Sequence, residues 1–245
     1  MNTVAAIQYK PPKGRVAEAR KELVALITEA IEAGATLIVC PEMATSGYIW
    51  PDRESLLPFS EKINGQTAQV LRSLAVSNKV TIVCGFPERV DNKLYNSALL
   101  CPPWGQIYSY RKILLYDADI PWAETGEKRM MLQSPIGTVF PAICMDLNDP
   151  EMRMALRQNQ PDFVAFCTNW IDDGEPVLPY WRYMLMGYDG VFIAANSYGE
   201  DSGTRFSGRS VILGPNGVCL NEAPPDGNCV ITASIPKGFS NESAC

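Results

Sequence analysis

Histidine is missing from this sequence altogether. Its absence removes the Ser-His-Asp triad, the Cys-His dyad and every histidine-ligated metal site. Hydrolytic chemistry must therefore use carboxylate, amine, thiol, hydroxyl or backbone groups. Long apolar runs are also lacking, and nothing approaches the roughly 18 apolar residues of a membrane-crossing helix. Met1 to Lys10 has no basic leader followed by an apolar stretch, so no secretory signal is expected. No Cys-x-x-Cys pair occurs, and no metal or other cofactor is expected. Basic charge is scarce: 21 Lys and Arg stand against 27 Asp and Glu, a formal net charge of -6. Nucleic acid and anionic membrane attract basic surfaces, so neither is expected as a partner. A small-molecule ligand fits this balance better.

What is present points to one folded unit. With 245 residues and 47% hydrophobic composition, the chain can bury a substantial core as a single domain over residues 1–245. Of its eight cysteines, Cys40, Cys84 and Cys167 sit in or at the end of apolar runs. They read as small buried hydrophobes in a reducing compartment, which favours a cytoplasmic location.

The first 85 residues alternate strand and helix signals. Thr3 to Gln8 is a short apolar strand. Val16, Ala19, Leu23, Ile27 and Ala30 recur at helical spacing, and Gly34 is a natural stop. Thr36 to Cys40 is a buried-strand run ended by Pro41, and a helix over Gln66 to Ser77 leads into a strand over Val80 to Gly85. This βαβαβ opening favours a layered α/β fold. Leu94 to Leu100 and Gln106 to Arg111 read as a hairpin turned at Pro102-Pro103-Trp104-Gly105. Further strands are expected at Gly137 to Ile143, Phe163 to Cys167, Val191 to Ala195, Gly208 to Leu213 and Cys229 to Ala233. Helices are expected from Pro150 and over Pro179 to Asp189. No period of 20–50 residues and no low-complexity tract breaks this pattern.

Three residues are placed for chemistry. Cys144 follows an apolar strand and precedes a helix that Asn148 or Asp149 can cap, with Pro150 in its first turn. Such a bend exposes a nucleophile and turns backbone N–H groups toward an oxyanion. Glu42 follows the run Leu37 to Cys40 through Pro41, at the carboxyl end of a strand, where α/β sheets place their sites. Lys112 lies between Tyr108-Ser109-Tyr110 and Ile113-Leu114-Leu115. Each also has an ordinary reading: a core cysteine, a solvated or capping carboxylate, and a lysine snorkelling to the surface.

The blocks that join them occur in a recognisable order. Ala5-Ala6-Ile7-Gln8 opens the chain, followed by Gly34 to Met43 with Gly47-Tyr48, and by Leu94-Tyr95-Asn96-Ser97-Ala98. Tyr110-Arg111-Lys112, Ala142 to Leu147 and Pro150-Glu151 come next, then Ala194 to Gly199 and Gly208 to Gly217. In these blocks the chain resembles the nitrilase (carbon–nitrogen hydrolase) superfamily, amidase-like members included, along nearly its whole length. The resemblance implies a four-layer αββα sandwich and a homodimer or higher homo-oligomer. It also implies hydrolysis of a non-peptide C–N bond through a cysteine thioester. Glu42 would be the general base, Lys112 the stabiliser of the tetrahedral intermediate and Cys144 the nucleophile. Met145 would supply an oxyanion N–H, with Asn169 and Trp170 lining the substrate pocket. Nitrile hydrolysis, N-carbamoyl amide hydrolysis and a catalytically silent binding protein are the alternatives on the same fold.

The chain departs from the family pattern in places. A second glutamate after the lysine is replaced by Asp119 or Glu124, and the Arg-Ala-x-x-Glu-Asn stretch is missing around Met184 to Tyr188. Asp146, Asp149, Asp172, Asp173 and Glu175 are expected to form an acidic rim that repels carboxylate substrates.

Overall fold

The computed structural model describes residues 1–236. In chain order its strands and helices are β1 (Asn2–Gln8), α1 (Val16–Glu32), β2 (Ala35–Val39), α2 (Arg53–Leu56), α3 (Gln66–Asn78), β3 (Thr81–Val90), β4 (Lys93–Cys101) and β5 (Tyr108–Arg111). Then come β6 (Leu132–Ser134), β7 (Gly137–Ile143), α4 (Pro150–Asn159), β8 (Phe163–Thr168), α5 (Val177–Met184) and β9 (Val191–Asn196). The described part closes with β10 (Tyr198–Asp201), β11 (Thr204–Ser207), β12 (Val211–Leu213), β13 (Cys219–Glu222) and β14 (Cys229–Ile235).

Two six-stranded sheets result, ordered β14-β1-β2-β3-β4-β5 and β13-β12-β9-β8-β7-β6. Alternation along each strand decides which face meets which layer. Val4, Ala6, Val39 and Leu100 of the first sheet meet Val139, Ile143, Ala165 and Ile193 of the second in one cluster. Their strand neighbours Ala5, Ile7, Ile38 and Ile82 turn outward against Leu23, Ile27 and Ala30 of α1 and Leu71 and Ala75 of α3. On the other side Phe140, Val164, Phe166 and Phe192 meet Met152 and Leu156 of α4 and Trp181 of α5. The architecture is therefore α-β-β-α, the four-layer sandwich.

The differences from the sequence reading have physical causes. β3 does not stop at Gly85 but runs to Val90 and pairs with β4 throughout. Pro87, Glu88 and Arg89 look like loop, yet Glu88 is buried and accepts bonds from Ser97, Ser109 and Arg111. α5 covers Val177–Met184 rather than Pro179 to Asp189, since Gly187 lies in a left-handed turn with φ +86. β12 begins at Val211, because Gly208 and Arg209 both have positive φ and form a turn. The β10–β11 hairpin was not expected: apart from Tyr198 and the buried Phe206 its residues are polar or glycine, too few apolar positions to make a hydrophobic alternation.

Candidate active site

Glu42 is placed by a backbone clamp at the end of β2. Cys40 N–H donates to Val83 O, Gly85 N–H to Pro41 O at 3.0 Å and Ala44 N–H to Gly85 O at 2.9 Å. The close approach requires glycine at position 85, where a Cβ would lie 2.4 Å from Pro41 O and 2.5 Å from Glu42 Cα. Lys112 is held similarly just past β5. Its N–H donates to Asn96 O and its carbonyl accepts from Gly126 N–H, both at 2.8 Å.

These placements bring the two side chains together in the interior. Lys112 Nζ lies 2.8 Å from Glu42 Oε1 and 2.6 Å from Asp119 Oδ2, and all three side chains are buried. Asn96 Nδ2 donates to Glu42 Oε1 at 2.7 Å and to Asp119 Oδ1 at 3.0 Å, tying the carboxylates to each other. Tyr116 N–H donates to Asp119 Oδ2 at 2.9 Å. Of the two carboxylates left open by the sequence, Asp119 is the one at the lysine. Glu124 is exposed, and its N–H donates to Leu94 O.

Cys144 begins the 3₁₀ turn Cys144–Asn148 directly after β7, with φ +42. A non-glycine residue in the left-handed region costs free energy and marks a sharp bend. The thiol is nearly buried, with 9% exposure. Burial first and the Glu42 charge second push it up to about 12, against the lowering effects of Lys112 and the Thr168 hydroxyl. The resting sulfur is thus a thiol at neutral pH, and a base must take its proton before it attacks. Burial also raises the Glu42 carboxyl above its ordinary value, and Asp119 adds to this against the opposing pull of Lys112 and Asn96. Burial opposes the Lys112 ammonium, yet Asp119 and Glu42 outweigh it and hold the group well above the usual lysine range.

The remaining expected pocket residues divide. Asn169 donates its N–H to Glu42 Oε2 at 2.9 Å and its Nδ2 to Glu42 O at 2.8 Å, so it positions the carboxylate. Met145, next after the cysteine, is half-buried, and its sulfur accepts from Asn148 Nδ2 at 3.0 Å. Trp170 stacks near Tyr180 and Trp181, with centroids 5.5 and 5.6 Å away, and donates its N–H to Asn196 Oδ1.

The expected acidic rim is corrected. Asp146 is not on a rim: it is buried and accepts from Tyr110 OH, Ile113 N–H, Leu114 N–H and Ile143 N–H. It therefore pins the lysine segment to the cysteine bend. Asp149 caps α4 and pairs with Arg129, and Asp172 pairs with Arg205. Asp173 and Glu175 remain as exposed acids.

Two contributors escaped sequence reasoning as site residues. Asn96 joins both carboxylates, and Tyr48 stacks over Lys112 Nζ at 5.6 Å with its hydroxyl buried and unpartnered. An amide inside the apolar run Leu94 to Leu100 was the available signal, because a buried amide must find partners. Among the described residues no group of three or more Cys, Asp or Glu side chains is arranged to hold a metal, and no helix is long and apolar enough to cross a membrane.

Comparison with known proteins identifies the family. The profile of the carbon-nitrogen hydrolase family matches residues 3–241. A nitrilase of Pyrococcus abyssi is 31% identical over 230 residues, covering 91% of this chain and 85% of its own. A protein N-terminal amidase of Schizosaccharomyces pombe is 26% identical over 255 residues, covering 84% of this chain and 89% of its own. Among solved structures, a variant of the amidase from Nesterenkonia sp. AN1, carrying acrylamide on its active-site cysteine, superposes with a TM-score of 0.85. It is 20% identical, with 99% of this chain and 97% of that one covered. The chain belongs to the carbon-nitrogen hydrolase family.

Proposed function

We propose that this protein hydrolyses a small-molecule amide to acid plus ammonia or amine, with Glu42, Lys112 and Cys144 as the catalytic residues. The observation that carries the reading is the Lys112 ammonium, fully buried between Glu42 and Asp119 and close enough to Cys144 for the two to influence each other's titration. Burying a cation between two carboxylates is a poor device for stability, and perturbed groups of this kind cluster at functional sites. In this reading Glu42 takes the Cys144 thiol proton, and the sulfur attacks the amide carbon as the C=O electron pair moves to oxygen. Lys112 and the Met145 N–H stabilise that oxyanion. Collapse expels the amine, which leaves with the proton from Glu42. Water then gives a proton to Glu42 and attacks the thioester, releasing the acid and restoring the thiol. Asp119 keeps Lys112 charged and oriented.

The protein N-terminal amidase of S. pombe supports the amide reading, and the nitrilase of P. abyssi keeps nitrile hydrolysis as its alternative. The protein acts as one domain and a homodimer in the cytoplasm in this reading. The free state of all seven described cysteines and the exposed Tyr183 and Met186 at the end of α5 support that part. Sedimentation velocity at micromolar protein checks the dimer.

The test is ammonia release across matched amides, nitriles and N-carbamoyl compounds, with Cys144→Ala as control and intact-mass detection of an acyl-enzyme. Turnover of amides, lost in Cys144→Ala, is the expected result. Hydrolysis that survives Cys144→Ala sinks the mechanism, and faster turnover of nitriles replaces it with the nitrilase reading.

A further inference from the structure

Thr168 closes β8 beside the cysteine bend. β7 and β8 run parallel with Ile143 opposite Cys167, so Cys144, the first residue past β7, follows beside Thr168, the last of β8. On its other side Thr168 pairs with Asn196 of β9, which fixes its backbone from both directions. Its side chain is fully buried, and its hydroxyl has no hydrogen-bond partner of good geometry in the resting site. The group that it lies against is the Cys144 thiol, whose anionic form it favours. One residue further on, the Asn169 N–H donates to Glu42 Oε2 at 2.9 Å. A single dipeptide thus reaches both the sulfur and the carboxylate proposed to deprotonate it.

A buried hydroxyl without a partner is costly, and valine would fill the same volume without that cost. The hydroxyl becomes useful when its neighbour changes charge. Neutral thiol is a weak acceptor, whereas thiolate is a strong one, so the missing bond is made when the proton leaves sulfur. We propose that Thr168 is a further catalytic residue, whose hydroxyl donates to the Cys144 sulfur as Glu42 removes the thiol proton and so stabilises the attacking thiolate. The inference rests on Cys144 being the nucleophile. The proton balance is simple: the sulfur proton moves to a Glu42 oxygen, and Thr168 keeps its own proton throughout. When the C–S bond forms, the sulfur loses its charge and the hydrogen bond weakens again, so Thr168 favours the thiolate over both the resting thiol and the thioester.

The groups facing the sulfur are the carboxylates of Glu42 and Asp119, the Lys112 ammonium, the Tyr48 phenol and this hydroxyl. The first four are left in place by an exchange of threonine for valine. The experiment compares Thr168→Val, Thr168→Ala and Thr168→Ser with wild type in amide kcat and KM, and in the rate of Cys144 alkylation by iodoacetamide from pH 6 to 10. In Thr168→Val, loss of the donor should lower alkylation and kcat about tenfold, and displace the alkylation profile upward by about one pH unit. KM should stay within about twofold, since the buried side chain does not meet bulk substrate. Thr168→Ser should recover to within about threefold of wild type. A packing residue would instead move the melting temperature and leave the alkylation profile alone. If valine does not fold, the alanine variant supplies the same comparison. The proposal is overturned if the hydroxyl-free variants alkylate and turn over within about twofold of wild type, or if serine is as slow as valine. Cys144→Ala, measured alongside, separates the two failures: activity that survives it removes the nucleophile reading itself.

Discussion

Asp119 meets Lys112 at 2.6 Å, closer than Glu42 does at 2.8 Å, and Asn96 donates to both carboxylates at once. The auxiliary acid therefore acts on two titrations: it raises Lys112, and its charge also raises Glu42. A base must be ionised to work, so the raised Glu42 carboxyl should set an acid limb of kcat/KM above its ordinary 4.5. Lys112, held well above 10.5, should stay charged to high pH, so the profile should run flat through about pH 9.

Removing the auxiliary charge tests both halves together. In Asp119→Asn the Glu42 carboxyl loses a neighbour that raises it, so the acid limb should move to lower pH. Lys112 loses the larger of its two supports, so an alkaline limb should appear. The plateau should fall by roughly a hundredfold as the lysine loses its orientation. Limbs that do not move in Asp119→Asn would show that the carboxylate has no electrostatic role. Glu124→Ala, at an exposed position, should leave the profile as it is.

Gly85 is a test of how closely the base must be placed. Alanine there would set a methyl 2.5 Å from Glu42 Cα, and the atoms it meets are backbone. The clamp must yield, at about 1–3 kcal/mol or more for overpacking, and Glu42 moves with it. An ångström of misplacement can cost roughly a hundredfold in rate. Gly85→Ala should therefore lose kcat well beyond what its fall in melting temperature implies. Equal activity per folded molecule would remove the argument.

Asp146 joins the two halves of the site, taking the hydroxyl of Tyr110 and the N–H groups of Ile113, Leu114 and Ile143. Asn at this position keeps the shape but aims an NH₂ group at some of those donors. Leaving buried donors unmet costs about 1–3 kcal/mol each, so Asp146→Asn should be among the more damaging changes that keep side-chain shape, measured by urea unfolding. Tyr110→Phe removes one donor cleanly and should cost only about 1 kcal/mol. A larger loss in Tyr110→Phe than in Asp146→Asn would contradict this order.

The legible part of the molecule was the part whose burial follows a simple period. α1 and β1, β2, β7 and β8 lie where their apolar spacing puts them, because each buries one face or both. Glu42, Lys112 and Cys144 are ordinary residues by composition and spacing, and only the order of the blocks around them singled them out. Which carboxylate meets Lys112 depends on the turn that carries Asp119 inward, with the Asp119 and Trp122 N–H groups donating to Tyr116 O and Asp119 O. Such a turn has no hydrophobic signature. The same holds for the strand past Gly85, where Glu88 is buried by virtue of partners on β4 and β5 that are distant in sequence. Asp146 was misread for a related reason: a carboxylate in a loop looks solvated until its four donors are known.

The Glu88–Arg111 pair gives a stability prediction whose sign can be worked out. Glu88 is 1% exposed, while Arg111 is 36% exposed, donates to it from Nε at 2.8 Å and stacks on Tyr95 at 4.1 Å. Burial works to raise the Glu88 carboxyl, but the bonds from Arg111, Ser97 and Ser109 outweigh it and hold the group below 4.5. A depressed carboxyl contributes stability that is present above its unfolded value and is lost as pH falls through the folded one. In Arg111→Met the main opposing partner goes, and burial should carry the carboxyl above 4.5 instead. The charged form is then disfavoured, so the variant regains stability as pH falls through that raised value. The deficit should be about 2 kcal/mol near neutral pH, less than for a fully buried pair because Arg111 is partly solvated. It should shrink between about pH 6 and pH 4, as Glu88 takes up a proton in the variant and not yet in the wild type. Urea unfolding at several pH values reads this directly. A deficit that stays constant on acidification would mean that the pair stabilises through packing of the Arg111 stem on Tyr95 and not through its charge.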